Sequence, residues 1–302
     1  MAAAFAAVYV IWGSTYLAIR FAIETLPPFL MAGTRFVTAG SVLFTWARWR
    51  GEPAPTRAQL LPSLGLGALF LLLGNGGVVW AEQRVPSGLA ALLVAVTPVW
   101  TVLFEWLHGS GAPALRTVAG LAAGLSGVTL LVAPTDLAGS PVDLAGAGAC
   151  LLSSFSWSLG SVRSRHLRIP SSPAIASSLQ MLAGGGLLLL AGIATGEGAR
   201  ADVDAASLRS LLALTYLILF GSLVAFTSFT WLLRVSTPAR VSTCAYVNPV
   251  VAVLLGWLLA GERLEAVHLA AAAMIVLGVV LITSGTRSGR AGGSKDERAE
   301  RP

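Results

Sequence analysis

Charge is scarce in this chain. Only 11% of its 302 residues are Asp, Glu, Lys or Arg, while 55% are hydrophobic, against about a quarter charged in soluble domains. That balance excludes a water-soluble globular fold. Cysteine is nearly absent: Cys150 and Cys244 both lie in apolar stretches, which leaves no disulfide or zinc framework. The three histidines, His108, His166 and His268, fall at loops or helix ends, where solvation explains them better than metal binding or catalysis. No Asp or Glu occupies the middle of an apolar run, since Glu24, Glu82, Glu105 and Glu262 stand at or beyond run ends. A midplane carboxylate trading a proton for a cationic solute therefore lacks its central group. Gly65-Leu66-Gly67 has no following Lys-Ser/Thr, so no phosphate loop is present and no cofactor is expected.

Basic residues exceed acidic ones, giving a net charge of +6 and a pI near 10.1. A nucleic-acid binder would share that feature, but a mean hydropathy of +0.77 leaves too little polar surface for a soluble partner of a polyanion. The excess is instead sorted by membrane side. Nineteen of the twenty basic residues are Arg, a bias of composition rather than mechanism.

Apolar residues form ten runs, each near the 17 to 20 or so residues that cross a bilayer as a helix. They cover Ala3–Ile23, Phe29–Trp46, Leu60–Ala81, Gly88–Leu107, Thr117–Ala133, Leu144–Val162, Ala174–Ala194, Leu208–Leu233, Ala239–Leu259 and Val267–Ser284. The first run lacks a basic leader and a small-residue cleavage site, so it reads as a spanning helix rather than a signal peptide. An all-α integral membrane protein with a disordered tail over 285–302 follows. Fourteen Lys and Arg fall in one set of alternate loops and the tail, five in the other set, and Arg35 inside a helix. The positive-inside rule then places both termini in the cytoplasm.

The chain also matches itself. At an offset of 145, Trp12 meets Trp157, Arg20 meets Arg165, Pro28 meets Pro173 and Gly40 meets Gly185. At 151, Trp80 meets Trp231, Pro98-Val99 meets Pro249-Val250, Trp106 meets Trp257 and Gly127-Val128 meets Gly278-Val279. The spacing predicts two repeats, 3–133 and 144–284, each of five helices. Five is odd, so the second repeat enters the bilayer from the opposite face, an inverted arrangement frequent in secondary transporters.

Polar residues inside the spans are the candidate site. Thr97-Pro98 and Asn248-Pro249 hold matching places in the fourth and ninth spans, where a proline frees the carbonyls of Val94 and Ala245 and kinks the helix. Arg35 lies about 9 Å along the second span from its outer end. An intramembrane Arg marks a partner or an anion, with snorkelling to the interface as the plain alternative. Glu24 and Glu82 are its candidate partners, and Gln180 is its repeat-related counterpart. Trp12 and Trp157 are displaced from the interfacial belt and suit a cavity wall. Ser14, Thr15, Asn75 and Tyr246 complete the solute-contact set, although Ser and Thr often bond only within their own helix. Gly120-x-x-x-Gly124 and Gly184-Gly185-Gly186 read as close-packing positions.

Several segments carry a family resemblance: Trp12-Gly13-Ser14-Thr15-Tyr16, Gly33-Thr34-Arg35-Phe36, the run from Val85 to Leu92, the run from Ala245 to Gly256, and Gly261-Glu262. Over nearly its whole length the chain resembles the ten-helix EamA-type members of the drug/metabolite transporter superfamily. The resemblance implies two EamA units in inverted repeat, cytoplasmic termini, and export of metabolites or amino-acid-like solutes by alternating access. It carries Trp12, Arg35, Tyr246 and Asn248 over as cavity positions. Two departures stand out: the first helix begins almost at Met1 where similar proteins have a longer leader, so a late start is expected, and Gly111 replaces a first-half counterpart of Glu262. The expected partners are a small-molecule solute and the bilayer, with no nucleic acid, and the oligomeric state is open, a monomer included. An integral-membrane enzyme and a non-transporting scaffold are the rival classes; the first lacks an acidic or histidine cluster, and the paired prolines weigh against the second.

Overall fold

The computed structural model describes residues 1–85, 87–136, 143–200, 205–260 and 266–285. The tail and Gly261-Glu262 lie outside these. The described residues form ten helical rods: α1 (Ala2–Ala22), α2 (Pro28–Trp49), α3 (Arg57–Ala81), α4 (87–110), α5 (Leu115–Asp136), α6 (Leu144–Arg163), α7 (Pro173–Ala194), α8 (Leu208–Val235), α9 (238–260) and α10 (Ala266–Gly285). Every limit is within three residues of the apolar run that predicts it. Six rods are long and apolar enough to span by composition alone; α2 and α6 are diluted by Arg35 and by serines. The protein is a multi-pass, all-α membrane protein.

Polar starts define the rods because the first backbone N–H groups of a helix need acceptors. Ser172 and Ser207 accept from Ile175 and Ser210 N–H at 3.4 and 3.1 Å. The N-terminus of α2 is capped from the other half of the chain: both oxygens of Glu197 accept, from Phe29 N at 3.2 Å and Leu30 N at 3.0 Å. Leu61, Leu190 and Leu269 point outward, whereas Ser153, Ser154, Ser158, Ser177 and Ser178 are buried. This inside-out pattern is what a hydrocarbon solvent selects.

The two halves pair through reciprocal glycine contacts. A Cβ on Gly40 of α2 would lie 3.0 Å from the backbone nitrogen of Leu182 in α7, and one on Gly185 of α7 would lie 2.8 Å from that of Val37 in α2. Adding 145 to 40 and 37 returns 185 and 182. In α5 and α10, Gly127 faces Ile275 N at 3.0 Å and Gly278 faces Gly124 N at 2.7 Å, related by 151 in the same way. Each half thus docks as the other does, which places a pseudo-two-fold axis between α2/α7 and α5/α10. Odd helix number makes that axis lie in the membrane plane, so the fold is two inverted five-helix repeats.

Helical regularity breaks where the halves meet. Residues Ala68–Asn75 of α3 and Leu217–Phe226 of α8 wind as π-helix, a form whose wider turn leaves carbonyls underused and which gathers at functional sites. Serines of α6 supply donors to the first segment: Ser156 Oγ to Leu69 O at 2.9 Å, and Ser153 Oγ to Gly74 O. In the second, the indole N–H of Trp12 reaches Gly221 O at 3.3 Å.

Candidate transport site

A cavity of about 750 Å³, counted to its open mouth, lies among α1, α2, α3, α4, α6, α8 and α9. Ile19, Val78 and Val94 line it on the side toward the face where α1 and α3 end and α4 begins. Trp12, Thr15, Arg35, Asn75, Thr97, Trp157 and Asn248, all proposed from sequence, are brought together in its wall.

Ser14, Gln180 and Tyr246 are not in this wall. Ser14 is engaged with Tyr216, hydroxyl to hydroxyl at 2.6 Å. Tyr246 is fully buried against Gly124 and donates to Leu121 O at 3.2 Å. Gln180 faces a second cavity of about 830 Å³ near the opposite face, beside Arg165, Thr230 and Arg234. Between the two spaces lies a layer of rings: Trp12 and Trp157 meet edge to face at 5.3 Å, and Phe229 is 5.0 and 5.1 Å from them. Phe70 packs at 5.1 Å from Trp157 and forms the wall of the second cavity.

Arg35 is 2% exposed, which overturns snorkelling to the interface. Its Nε donates to Ser222 Oγ at 2.8 Å, its guanidinium lies over the Phe36 ring at 4.6 Å, and NH1 is buried without a hydrogen-bond partner. The acidic partners expected of it are elsewhere. Glu24 pairs with Arg209 at 3.4 Å at the bundle end, and Glu82 interacts with Arg20. The reason is direction: the Arg35 side chain turns inward between α2 and α8, away from the helix ends where both glutamates sit.

The two prolines act differently. Rod α4 is broken at Ala95–Val96, with Thr97-Pro98 opening the next helical segment. Thr97 Oγ1 itself donates to the freed Val94 carbonyl at 2.5 Å. Pro249 instead stands within the continuous segment Cys244–Ala260, and α9 is interrupted at Thr243. Asn248, just before it, bonds the Tyr16 hydroxyl and keeps its buried Oδ1 without a partner; Asn75 Oδ1 is buried and unpartnered as well.

Sequence reasoning did not assign Gly221, Ser222 or Phe226, although these position Arg35 and complete the wall. Nothing in Leu217–Phe226 signals a π segment, because an apolar run looks the same in either winding. Tyr16, Ser153 and Ser154 also line the cavity.

Inverted five-helix halves enclosing an internal space with a few polar groups define a membrane transport protein. The chain belongs to the EamA-like transporter family, whose model matches residues 1–133 and 144–284. It is 42% identical over 280 residues to an uncharacterized inner membrane transporter of Escherichia coli K12, YedA, covering 92% of this chain and 89% of that one. An S-adenosylmethionine/S-adenosylhomocysteine transporter of Chlamydia trachomatis is 29% identical, covering 90% and 85%. A probable amino-acid metabolite efflux pump of Escherichia coli is 26% identical, covering 93% of each. A crystal structure superposes with a TM-score of 0.75 at 22% identity, covering 93% of this chain and 95% of that one, and so shares the fold.

Proposed function

We propose that the protein is a secondary transporter of the cytoplasmic membrane that exports a small organic solute by alternating access between its two repeats, 3–133 and 144–284. The observation that carries the reading is the pair of cavities, one on the side of each face, separated by the Trp12, Trp157, Phe70 and Phe229 rings. With the arginine-rich loops inside, both termini are cytoplasmic, the central cavity opens outward and the second cavity is the cytoplasmic approach. Rocking one repeat against the other would part the rings on one side and close the mouth on the other. The names of the relatives, two of them a metabolite efflux pump and an inner membrane transporter, support both direction and membrane.

The test is flux in proteoliposomes, with solutes chosen by a growth-inhibition screen of an overexpressing strain. Saturable movement of at least one hit, lost when Trp157 is replaced by Ala while the protein still folds, is the expected result. Absence of flux for every hit overturns the reading.

A further inference from the structure

Resting on the transport reading, we infer that the solute is a net-negative carboxylate carrying an uncharged N–H donor, bound by Arg35 at one end and by Asn75 and Asn248 at the other. The argument is one of charge balance. Arg35 stays protonated in any protein environment, and no Asp or Glu is among the described residues that line the cavity. Its contact with Ser222 is to a neutral hydroxyl, which positions the guanidinium and leaves its charge uncompensated. NH1 still has N–H groups to give, and a carboxylate matches the planar fork of a guanidinium.

The other unsatisfied groups of the wall are of the opposite kind. Asn75 Oδ1 and Asn248 Oδ1 are buried acceptors without donors. Buried polar atoms left without partners are costly, so a bound solute that supplies N–H groups is favoured. Charge then discriminates among solutes. Glu82, which acts on the cavity residue Tyr16, has Arg20 as its own counter-charge, so the charge left to balance is that of Arg35: a monoanion brings the cavity to zero, a zwitterion leaves one positive charge, and a cation doubles the excess. A neutral amide N–H satisfies the asparagines without adding charge.

The experiment uses the full chain in phosphatidylcholine nanodiscs, read by the change in intrinsic fluorescence of its nine tryptophans, of which Trp12 and Trp157 line the cavity. Three probes share one side chain: N-acetyl-leucine as the monoanion, leucine as the zwitterion and leucinamide as the cation. Saturable quenching by N-acetyl-leucine at a Kd about tenfold or more below the other two is expected, with Arg35→Gln raising it about tenfold. Asn248→Asp places a carboxylate in the cavity and should move the preference toward leucine, which keeps the test decisive if Arg35→Gln fails to fold. Equal affinity for the three probes, no saturation by N-acetyl-leucine, or an unchanged order in Asn248→Asp overturns the inference. Nanodiscs containing phosphatidylglycerol form a further arm: abolition of N-acetyl-leucine binding there would assign the anion to lipid and overturn the solute class. Binding is read at equilibrium, so a probe that binds without being moved counts against transport and leaves this inference standing.

Discussion

Arg35 and Ser222 meet across the two halves of the chain, the guanidinium Nε donating to the serine hydroxyl over 2.8 Å. One comes from the second helix of the first half and the other from the π segment of the eighth rod, so the charged group of the cavity is held by the opposing repeat. A change in how the repeats sit moves this pair directly, which couples the position of the buried arginine of the cavity wall to the conformational state.

Gly221 sits beside that pair. A Cβ there would fall 2.7 Å from Arg35 NH2, the far end of a flexible side chain. Gly221→Ala should therefore displace the guanidinium while leaving the fold intact. The expected result is a loss of about tenfold in flux, the scale of about one charged hydrogen bond, with an unchanged melting temperature in detergent. Wild-type flux would show that the guanidinium position does not matter.

The docking glycines should behave in the opposite way. A Cβ on Gly278 would meet Gly120 O and Gly124 N, both backbone, at 2.7 Å, so Gly278→Ala must push α10 from α5 at a cost of about 1–3 kcal/mol. Gly186 faces open space, and Gly186→Ala should be neutral or slightly stabilising. Thermal unfolding of the two variants side by side checks the contrast.

Asp143 supplies a pH dependence outside the spans. Its carboxylate accepts from Gly146 N at 2.8 Å at the start of α6 and pairs with Arg84 at 3.5 Å. The backbone hydrogen bond first, and the Arg84 charge after it, hold its pKa below the usual carboxylate range. A depressed folded value means the stabilisation is present above the ordinary carboxylate pKa and is lost as pH falls through the folded one. Asp143→Ala should melt below wild type at neutral pH, with the gap closing only in strongly acidic buffer. A gap that stays constant to the lowest pH would contradict the assignment.

Orientation can be read on the native background, because Cys150 and Cys244 are both buried. Arg50 and Ala199 are exposed at opposite ends of the bundle. In intact cells a membrane-impermeant maleimide should label Ala199→Cys and spare Arg50→Cys until the membrane is permeabilised. The reverse pattern would invert the proposed topology.

Much of the architecture was readable before any coordinate. Ten apolar runs became ten rods, and the self-matches of Gly40 with Gly185 and of Gly127 with Gly278 anticipated the reciprocal docking contacts. The site was readable in part. Trp12, Arg35, Asn75, Thr97, Trp157 and Asn248 stand out because a polar or indole group deep in an apolar run is costly and needs a reason. Tyr246 and Ser14 satisfy the same rule, yet each has found a protein partner, Leu121 O for one and Tyr216 for the other. Two matching prolines suggested two matching kinks, but only α4 breaks beside its proline.

The sequence by itself determined which segments cross the membrane and that the halves are inverted. Both follow from local sums: apolar transfer along a run of about 20 residues, backbone groups satisfied within one helix, and an odd number of crossings. Tertiary structure alone decided which inward polar groups share a cavity and which are consumed by neighbours. The physical reason lies in the π segments of α3 and α8. One residue of a helix corresponds to about 100° of rotation, so a wider turn swings every later side chain to another face. That rotation set Ser222 against Arg35, and it depends on donors and packing from other helices rather than on anything written in the apolar run.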